Sequence, residues 1–567
     1  RASPLCSVNR MAPLSLPPGK KTVAQKLLGR LNFTRVWCFR GILKGFIGKG
    51  LLGKILGNPL GPNTSFYVEN NGVDRMVKTP SPCLNPSAQG TPSYDVVIIG
   101  CGVSGANIAR RLSAYRLRVA VVEKAADVSF GTSKANSGII HGGFHHPKKY
   151  LKSRLEIQGN WMFDRLHQEL GFPFKRCGII VAALHEDEMK AVEHLYWQGR
   201  ENGALGLELC SRERLLSLEP QLSPEVVGGL YAPAGGIIEP YRFVFALVES
   251  ALTNGVHLYT NWKVVDAHWN TEKKEWRLVN QEGGSLSARF VVNAAGLYAD
   301  EVSRLFGAEE YIITPRKGEY FLLDRLTPVR PERVVFPVPS ALSKGMLVIP
   351  TVEGTVLVGP TADPALSKED VATTAEHLDI ILEAGKRLVP GLNRNDVITT
   401  FAGLRPVLGE DFYIEPSTKV PSLIHVAGIQ SPGLTASPAI GEYVKDLLKA
   451  AGLELTEKPD WNPCLPPRPQ ARNLSPYEWD DLVQNDPAWG HLVCRCETVT
   501  EAEIVEAIRQ GHTTLDGIKY FTRAQMGRCQ GAFCTYKIIK ILMRETGMSY
   551  EEITKHGETS QILRGAL

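Results

Sequence analysis

The run Tyr-Asp-Val-Val-Ile-Ile over residues 94–99 is short and apolar enough to be a buried strand, and a glycine cluster closes it. Spaced apolar positions over 104–113 then predict a helix, and 119–123 predict a second strand. Further buried strands are expected at 178–184 and 289–295, and helices at 186–202 and 372–388. The stretches 172–288 and 312–400 are rich in strand-like runs. The pattern reads as an α/β chain. A Rossmann-like unit over 94–455 carries an inserted β-rich substrate domain made of those two stretches. Pro and Trp then cluster, so 456–491 is expected to be an interdomain linker. In the last compact unit, 492–547, Thr500-x-x-Glu503 is a capping box opening a helix over 501–510, which Gly511 ends. A second helix is expected at 515–524, another close to Cys534, and a C-terminal tail over 548–567.

Composition changes this picture at two places. The 567 residues are 43% hydrophobic and 22% charged, as in ordinary globular proteins, and their number implies several domains. The net charge of +5 is uneven. Residues 1–68 hold eleven Lys or Arg and no acid, which leaves the remainder slightly acidic and without a nucleic-acid signature. Residues 1–93 therefore read as a basic extension and linker with transit-peptide composition, so mitochondrial localisation is expected, with the cytoplasm as the alternative and peripheral membrane contact as another use of the segment. Lys44, Lys49 and Lys54 fall roughly 140° apart on a helical wheel and define no polar face. They also interrupt every apolar run, so no span reaches the ~20 residues needed to cross a bilayer. Eleven cysteines are too sparse for a disulfide scaffold and suit a reducing compartment; four of them crowd into the last eighty residues.

Gly100-x-Gly102-x-Ser104-Gly105 follows a strand and opens a helix, and Glu123-Lys124 ends the next strand. That context turns a weak glycine pattern into a dinucleotide site. The glycines allow a tight turn and close backbone approach, the helix N-terminus faces phosphate, and Glu123 suits ribose hydroxyls. Three distant segments point to FAD. These are the small polar loop 131–138 (Thr132, Ser133, Asn136, Ser137, Gly138), the strand end Ala294-Ala295-Gly296, and Gly428 with Gly433-Leu434-Thr435 leading into a helix from about residue 436.

In this order the motifs resemble the FAD-dependent glycerol-3-phosphate dehydrogenase and L-2-hydroxyglutarate dehydrogenase relatives in the D-amino-acid-oxidase-like superfamily. The segment 136–163 is the most specific part, with support from Gly318-Glu319-Tyr320 and Gly403-Leu-Arg-Pro406. His145-His146 departs from the turn that relatives carry there. The resemblance implies that Arg405 binds the substrate anion, where a guanidinium fork suits phosphate or carboxylate. Ala135 sits where some relatives place a flavin-linking histidine, so the FAD is expected to be non-covalent. Arg316 and Lys317 are further anion-binding candidates, and His141, an imidazole beside the flavin loop, is the candidate base.

Cys494-x-Cys496 and Cys529-x4-Cys534 supply four thiolates in two close pairs, which suit a [2Fe–2S] cluster or a tetrahedral zinc ion. The segment resembles the bacterioferritin-associated-ferredoxin-like [2Fe–2S] domain, which implies that all four are ligands of the cluster. Lys519, Arg523 and Arg528 would offset its negative charge. A hydride-accepting flavin joined to a one-electron centre implies a dehydrogenase passing electrons to a quinone or a redox protein. The expected substrate is a small anionic secondary alcohol, glycerol 3-phosphate first. L-2-hydroxyglutarate or another 2-hydroxy acid, an amine or opine, and a non-catalytic electron-transfer role follow as alternatives.

Overall fold

The run at 94–99 is the strand Ser93–Ile99, an inner strand of an eight-stranded sheet in a computed structural model that describes residues 91–339 and 345–563. The expectations for residues 1–90, including the basic extension and its helical wheel, lie outside the described residues. Ser93–Ile99 pairs in parallel with Val119–Val122 on one side and Ser285–Asn293 on the other. His257–Tyr259 and Leu423–Ala427 extend the parallel order. Val96 and Ile98 point to one face and Val97 and Ile99 to the other, and all four are buried, so the run reads as apolar throughout. Helices Val103–Leu112, Leu151–Leu170, Pro240–Thr253 and Gly433–Ala450 put residues such as Ile108, Leu166, Phe243 and Val444 into the core shared with Val96 and Ile98.

The substrate domain is a nine-stranded sheet whose strands include Ile179–Ala183, Gly228–Ala232, Thr314–Leu323, Val356–Gly359 and Val397–Val407. Its boundaries differ from the expected ones. The segment 240–288 belongs to the dinucleotide domain, because His257–Tyr259, Val264–Asn270 and Glu275–Asn280 all join the first sheet. At the other end, Val397–Val407 runs past residue 400. A strand-rich texture does not say which sheet a strand pairs with, since that is decided by contacts far apart in sequence.

The cysteine module has a small antiparallel pair, Leu492–Cys494 with Val499–Thr500, and helices Glu501–Arg509, Leu515–Thr522 and Thr535–Thr546. The capping box is present as expected. Two expectations are corrected here. The stretch 456–491 is not a loose linker but a strap. Trp461 Nε1 donates to Ser113 Oγ (3.2 Å), Arg110 lies over the Trp461 ring, Leu465 N donates to Glu169 O (2.8 Å), and helix Pro476–Asn485 follows. Nor is the described part of the expected tail, 548–563, free. Leu515 N and Asp516 N donate to Thr554 O and Lys555 O, Lys555 pairs with Asp516 at 2.7 Å, and Ile553 is fully buried.

A buried ion network joins the parts. Arg523 reaches Glu239 at the start of the Pro240–Thr253 helix and Glu497 beside the cysteines (2.9 Å), with Glu353, in the turn between strands Leu347–Pro350 and Val356–Gly359 of the substrate domain, 3.7 Å away. Burial by itself would lower the Arg523 pKa, but Glu239, Tyr241, Glu353 and Glu497 hold it well above the ordinary value. Arg472 of the strap pairs with Glu353 (2.7 Å), and Arg325 pairs with Glu497 (2.6 Å) and donates to the Cys496 carbonyl. Removing one member strands its partners without a counter-charge, so Arg523→Ala is expected to cost about 3–5 kcal/mol. The expected readouts are a lower thermal midpoint and faster limited proteolysis within 456–491. An unchanged cleavage rate would show that the network does not hold the module in place.

Candidate active site and cluster site

Backbone meets backbone closely at the turn after Ser93–Ile99. Gly100 has φ +99°, and a Cβ there would lie 2.6 Å from the Ala294 carbonyl oxygen. A Cβ on Gly105 would lie 2.0 Å from Gly100 O, so only glycine fits at either position. The helix Val103–Leu112 begins at Gly102 with no side-chain cap, and Ser104 is buried in its first turn. Val103 N donates to Ser133 Oγ (2.9 Å), which draws the 131–138 loop to this corner. Glu123 accepts from Cys101 N (2.8 Å) and Ala125 N (3.0 Å); burial raises its pKa against these bonds. A glycine corner, a helix N-terminus and a carboxylate ending the second strand fit a dinucleotide. Lys124 is exposed, its ammonium 3.2 Å above the Tyr298 ring.

The flavin loop is held from both ends. Asn136 Nδ2 donates to Ser133 O (2.8 Å) and its Oδ1 accepts from Gly138 N (2.9 Å), while Thr132 Oγ1 donates to Leu404 O (2.7 Å). A Cβ on Gly403 would lie 1.9 Å from Ala135 O, so the strand Val397–Val407 lies directly on this loop. Thr435 Oγ1 accepts from His141 N (2.9 Å), which ties the Gly433–Ala450 helix start to the candidate base. The predicted flavin segments thus come together, with Gly296 (φ +58°) and Gly428 (φ +67°) at the ends of their strands and Leu434 half-buried.

The substrate candidates divide by strand face. Arg316 and Arg405 stand opposite each other on antiparallel strands and share one face with Gly318 and Gly403 and with the stacked pair Tyr320 and Phe401. Tyr320 OH shares a hydrogen bond with Ser137 Oγ (3.1 Å), so this face looks onto the flavin loop. Both arginines, half-buried, are tethered to one strip of backbone. Arg405 Nη2 donates to Thr361 O (3.1 Å) and Arg316 Nε to Ala362 O (2.9 Å). Lys317 does not join them. One residue along the strand turns it to the other face, where it pairs with Asp370 (3.0 Å) beside buried Glu319. The anion-binding expectation for Lys317 is corrected on that ground.

His141 is buried, its Nε2 3.3 Å from Ser431 Oγ and its carbonyl accepting from Asn160 Nδ2 (2.7 Å). The His145 ring of the departing turn stands 5.4 Å from the His141 ring and 5.1 Å from Phe336. Sequence reasoning left Asn160 unnoticed. Its only signal is an amide in a helix that buries much of its surface, and that does not reveal what the amide holds.

Cys494 and Cys534 are buried and hydrogen-bonded to each other, and Cys496 and Cys529 are half-buried with sulfurs 3.6 Å apart. The bond from Cys534 lowers the Cys494 thiol to about 6, which readies it as a thiolate. Two thiolates on one tetrahedral metal at Zn–S-like bond lengths stand roughly 3.7 Å apart, so the outer pair already has that spacing. Among the described residues no three potential ligands close on a single point. Thiols in two pairs suit two metal ions rather than one. Arg523 does not stand free beside the cluster, its charge being shared between Glu239 and Glu497. Aromatic contacts link the two sites. Phe130, next to the flavin loop, lies 6.1 Å from Tyr520, Tyr520 lies 5.0 Å from Tyr241, and Tyr241 OH lies 3.5 Å from the sulfur of Met526.

The family model for FAD dependent oxidoreductases matches residues 95–447, more than half of the sequence. The chain belongs to the FAD dependent oxidoreductase family. A second model, the BFD-like [2Fe-2S] binding domain, matches residues 492–544. The chain is 44% identical over 477 residues to a glycerol 3-phosphate dehydrogenase of Caloramator mitchellensis, covering 83% of this chain and 98% of that protein. It is 26% identical over 430 residues to the mitochondrial L-2-hydroxyglutarate dehydrogenase of Homo sapiens, covering 64% and 90%. Among solved structures, dithionite-reduced L-alpha-glycerophosphate oxidase of Mycoplasma pneumoniae with FAD bound aligns with TM-score 0.63 and 33% identity, over 66% of this chain and all of that one. This family member is thus an oxidoreductase that uses FAD and an iron–sulfur cluster, as the motifs implied.

Two variants separate the cofactors. Gly105→Ala is expected to yield protein depleted of flavin, read from the ratio of absorbance at 450 nm to that at 280 nm. Cys529→Ser is expected to keep the flavin and lose the paramagnetic signal of the reduced cluster. A full flavin complement in Gly105→Ala would mean that the corner is not the dinucleotide site.

Proposed function

We propose that the chain is a glycerol-3-phosphate dehydrogenase. One observation carries the reading: the 477-residue match to the Caloramator dehydrogenase extends well beyond the length of the FAD domain and covers 98% of that protein. When bound, FAD supplies a two-electron hydride acceptor and the cluster a one-electron relay. Arg316 and Arg405 place two guanidinium charges side by side, which suits the dianionic phosphate of the substrate. His141 would take the proton of the C2 hydroxyl as hydride leaves C2. Burial around His141 and Phe336 would keep water from that carbon. The outlet for electrons is a quinone or a redox protein. Mitochondrial placement is supported only by the composition of residues 1–68, with eleven cations and no acid.

Glycerol 3-phosphate added without oxygen is expected to bleach the flavin. Arg405→Ala should raise the half-saturating concentration roughly ten- to hundred-fold, the worth of a charged hydrogen bond of about 1.5–3 kcal/mol. His141→Gln should slow bleaching about 10²–10⁴-fold, whereas Lys317→Met should leave the half-saturating concentration unchanged. Bleaching by L-2-hydroxyglutarate but not by glycerol 3-phosphate would overturn the substrate.

A further inference from the structure

The cysteine module turns a basic, aromatic face outward. Between residues 517 and 544 there are six Lys or Arg and no Asp or Glu, in a body that is slightly acidic overall. The exposed residues on this face are chain neighbours of the ligands. Arg495 lies between Cys494 and Cys496, Arg528 precedes Cys529, and Phe533, 80% exposed, precedes Cys534. On the helix Thr535–Thr546, Ile538, Ile539, Ile541 and Leu542 are buried, whereas Tyr536, Lys537 and Lys540 face solvent. Tyr536 is 58% exposed, with the Lys540 ammonium 4.5 Å from the centre of its ring. Four acids near this face are engaged, and exposed Glu551 and Glu552 stand past the end of the helix. Asp324 pairs with Arg528 (2.8 Å), Glu501 and Glu545 pair with Arg544, and Glu497 is buried in the ion network.

We propose that this face docks a small acidic one-electron carrier protein, which takes electrons from the cluster edge at half-buried Cys496 and Cys529. Two exposed aromatics, with Lys537 and Lys540 on the same helix as Tyr536, match the make-up of a protein-binding patch, and these exposed cations favour an acidic partner by long-range attraction. In each encounter the cluster is oxidised by one electron and the carrier's redox centre reduced by one. Two encounters clear the two electrons of one hydride, and two protons go to solvent, the one left from the hydride and the hydroxyl proton taken by His141. The docking reading rests on the proposed function only for the source of the electrons.

The test compares two haem proteins of opposite charge, the acidic soluble domain of cytochrome b5 and basic cytochrome c, binding to the full chain loaded with FAD and cluster. Calorimetry at low and high salt is expected to show binding of cytochrome b5 that weakens at least about tenfold with salt. The double variant Lys537→Glu, Lys540→Glu is expected to weaken it by a similar factor, while flavin bleaching by substrate stays as in the parent. Phe533→Ser should weaken binding without changing its salt dependence. Equal affinity for both haem proteins, unchanged binding by the charge-reversed variant, or oxidation of the dithionite-reduced protein by ubiquinone vesicles but not by cytochrome b5 would each overturn the proposal. A failure of substrate to bleach the flavin sinks the glycerol 3-phosphate reading alone, because the binding comparison needs no substrate.

Discussion

Arg523 carries a full charge into an interior where little water can solvate it, and the acids that neutralise it come from separate parts of the fold. Glu239 starts a helix of the dinucleotide domain, Glu497 follows the first cysteine pair, and Glu353 sits in a turn between two strands of the substrate domain. Such a network adds little net stability, because desolvation offsets most of the attraction. What it imposes is placement. Sliding the cysteine module by one helical turn would leave charges buried and unpaired at several kcal/mol each. The contacts from Phe130 through Tyr520 and Tyr241 to Met526 depend on that placement, since each spans the same junction. The strap from 456 onward works in the same direction. Arg472 pairs with Glu353, and Trp461 is pinned under Arg110.

On the substrate side the deciding constraint is strand alternation. Arg316 and Lys317 are neighbours in sequence and look equally fit to bind an anion, yet a period of two sends one toward the flavin loop and the other into an ion cluster with Asp370 and Glu319. The glycine pair Gly318 and Gly403 beside Arg405 follows from the same geometry. A Cβ on Gly318 would lie 2.7 Å from Arg405 Nη2, and one on Gly403 would strike the flavin loop. The motif around each arginine therefore keeps space for the guanidinium and brings the strand down onto the loop.

Features that depend on local chemistry were legible in the sequence. Gly100 and Gly105 are forced by close approach, Thr500 and Glu503 by the four N–H groups at a helix start, and the cysteine pairs by the need for soft ligands. Illegible features depend on partners far along the chain. The Pro- and Trp-rich stretch read as a tether because its bonds go to Ser113 and Glu169, more than 290 residues away. Residues 548–567 read as a tail because Ile553 finds its core only after Leu515–Thr522 is folded beside it. Residues 240–288 read as substrate domain because strand texture carries no record of sheet membership. Arg523 was noticed as a cation near the cluster, but nothing local shows that its charge is already taken by Glu239.

The FAD domain by itself does not decide where electrons go. Over about two-thirds of its length this chain superposes on a glycerophosphate oxidase, so the same scaffold serves an enzyme named for a different electron acceptor. What this chain carries besides the FAD domain is a strap and four thiols, seated by a network that uses acids of both parts. A cluster held rigidly within a few aromatic contacts of the flavin gives electrons an exit that needs no oxygen in the pocket. That arrangement also splits the demands on the protein. In the proposed reaction substrate would be held at Arg405 and His141, while electrons would leave to a partner proposed for the outer face of the module. A rigid junction is what allows the split, because a module on a loose tether would hold the cluster near the flavin for only part of the time.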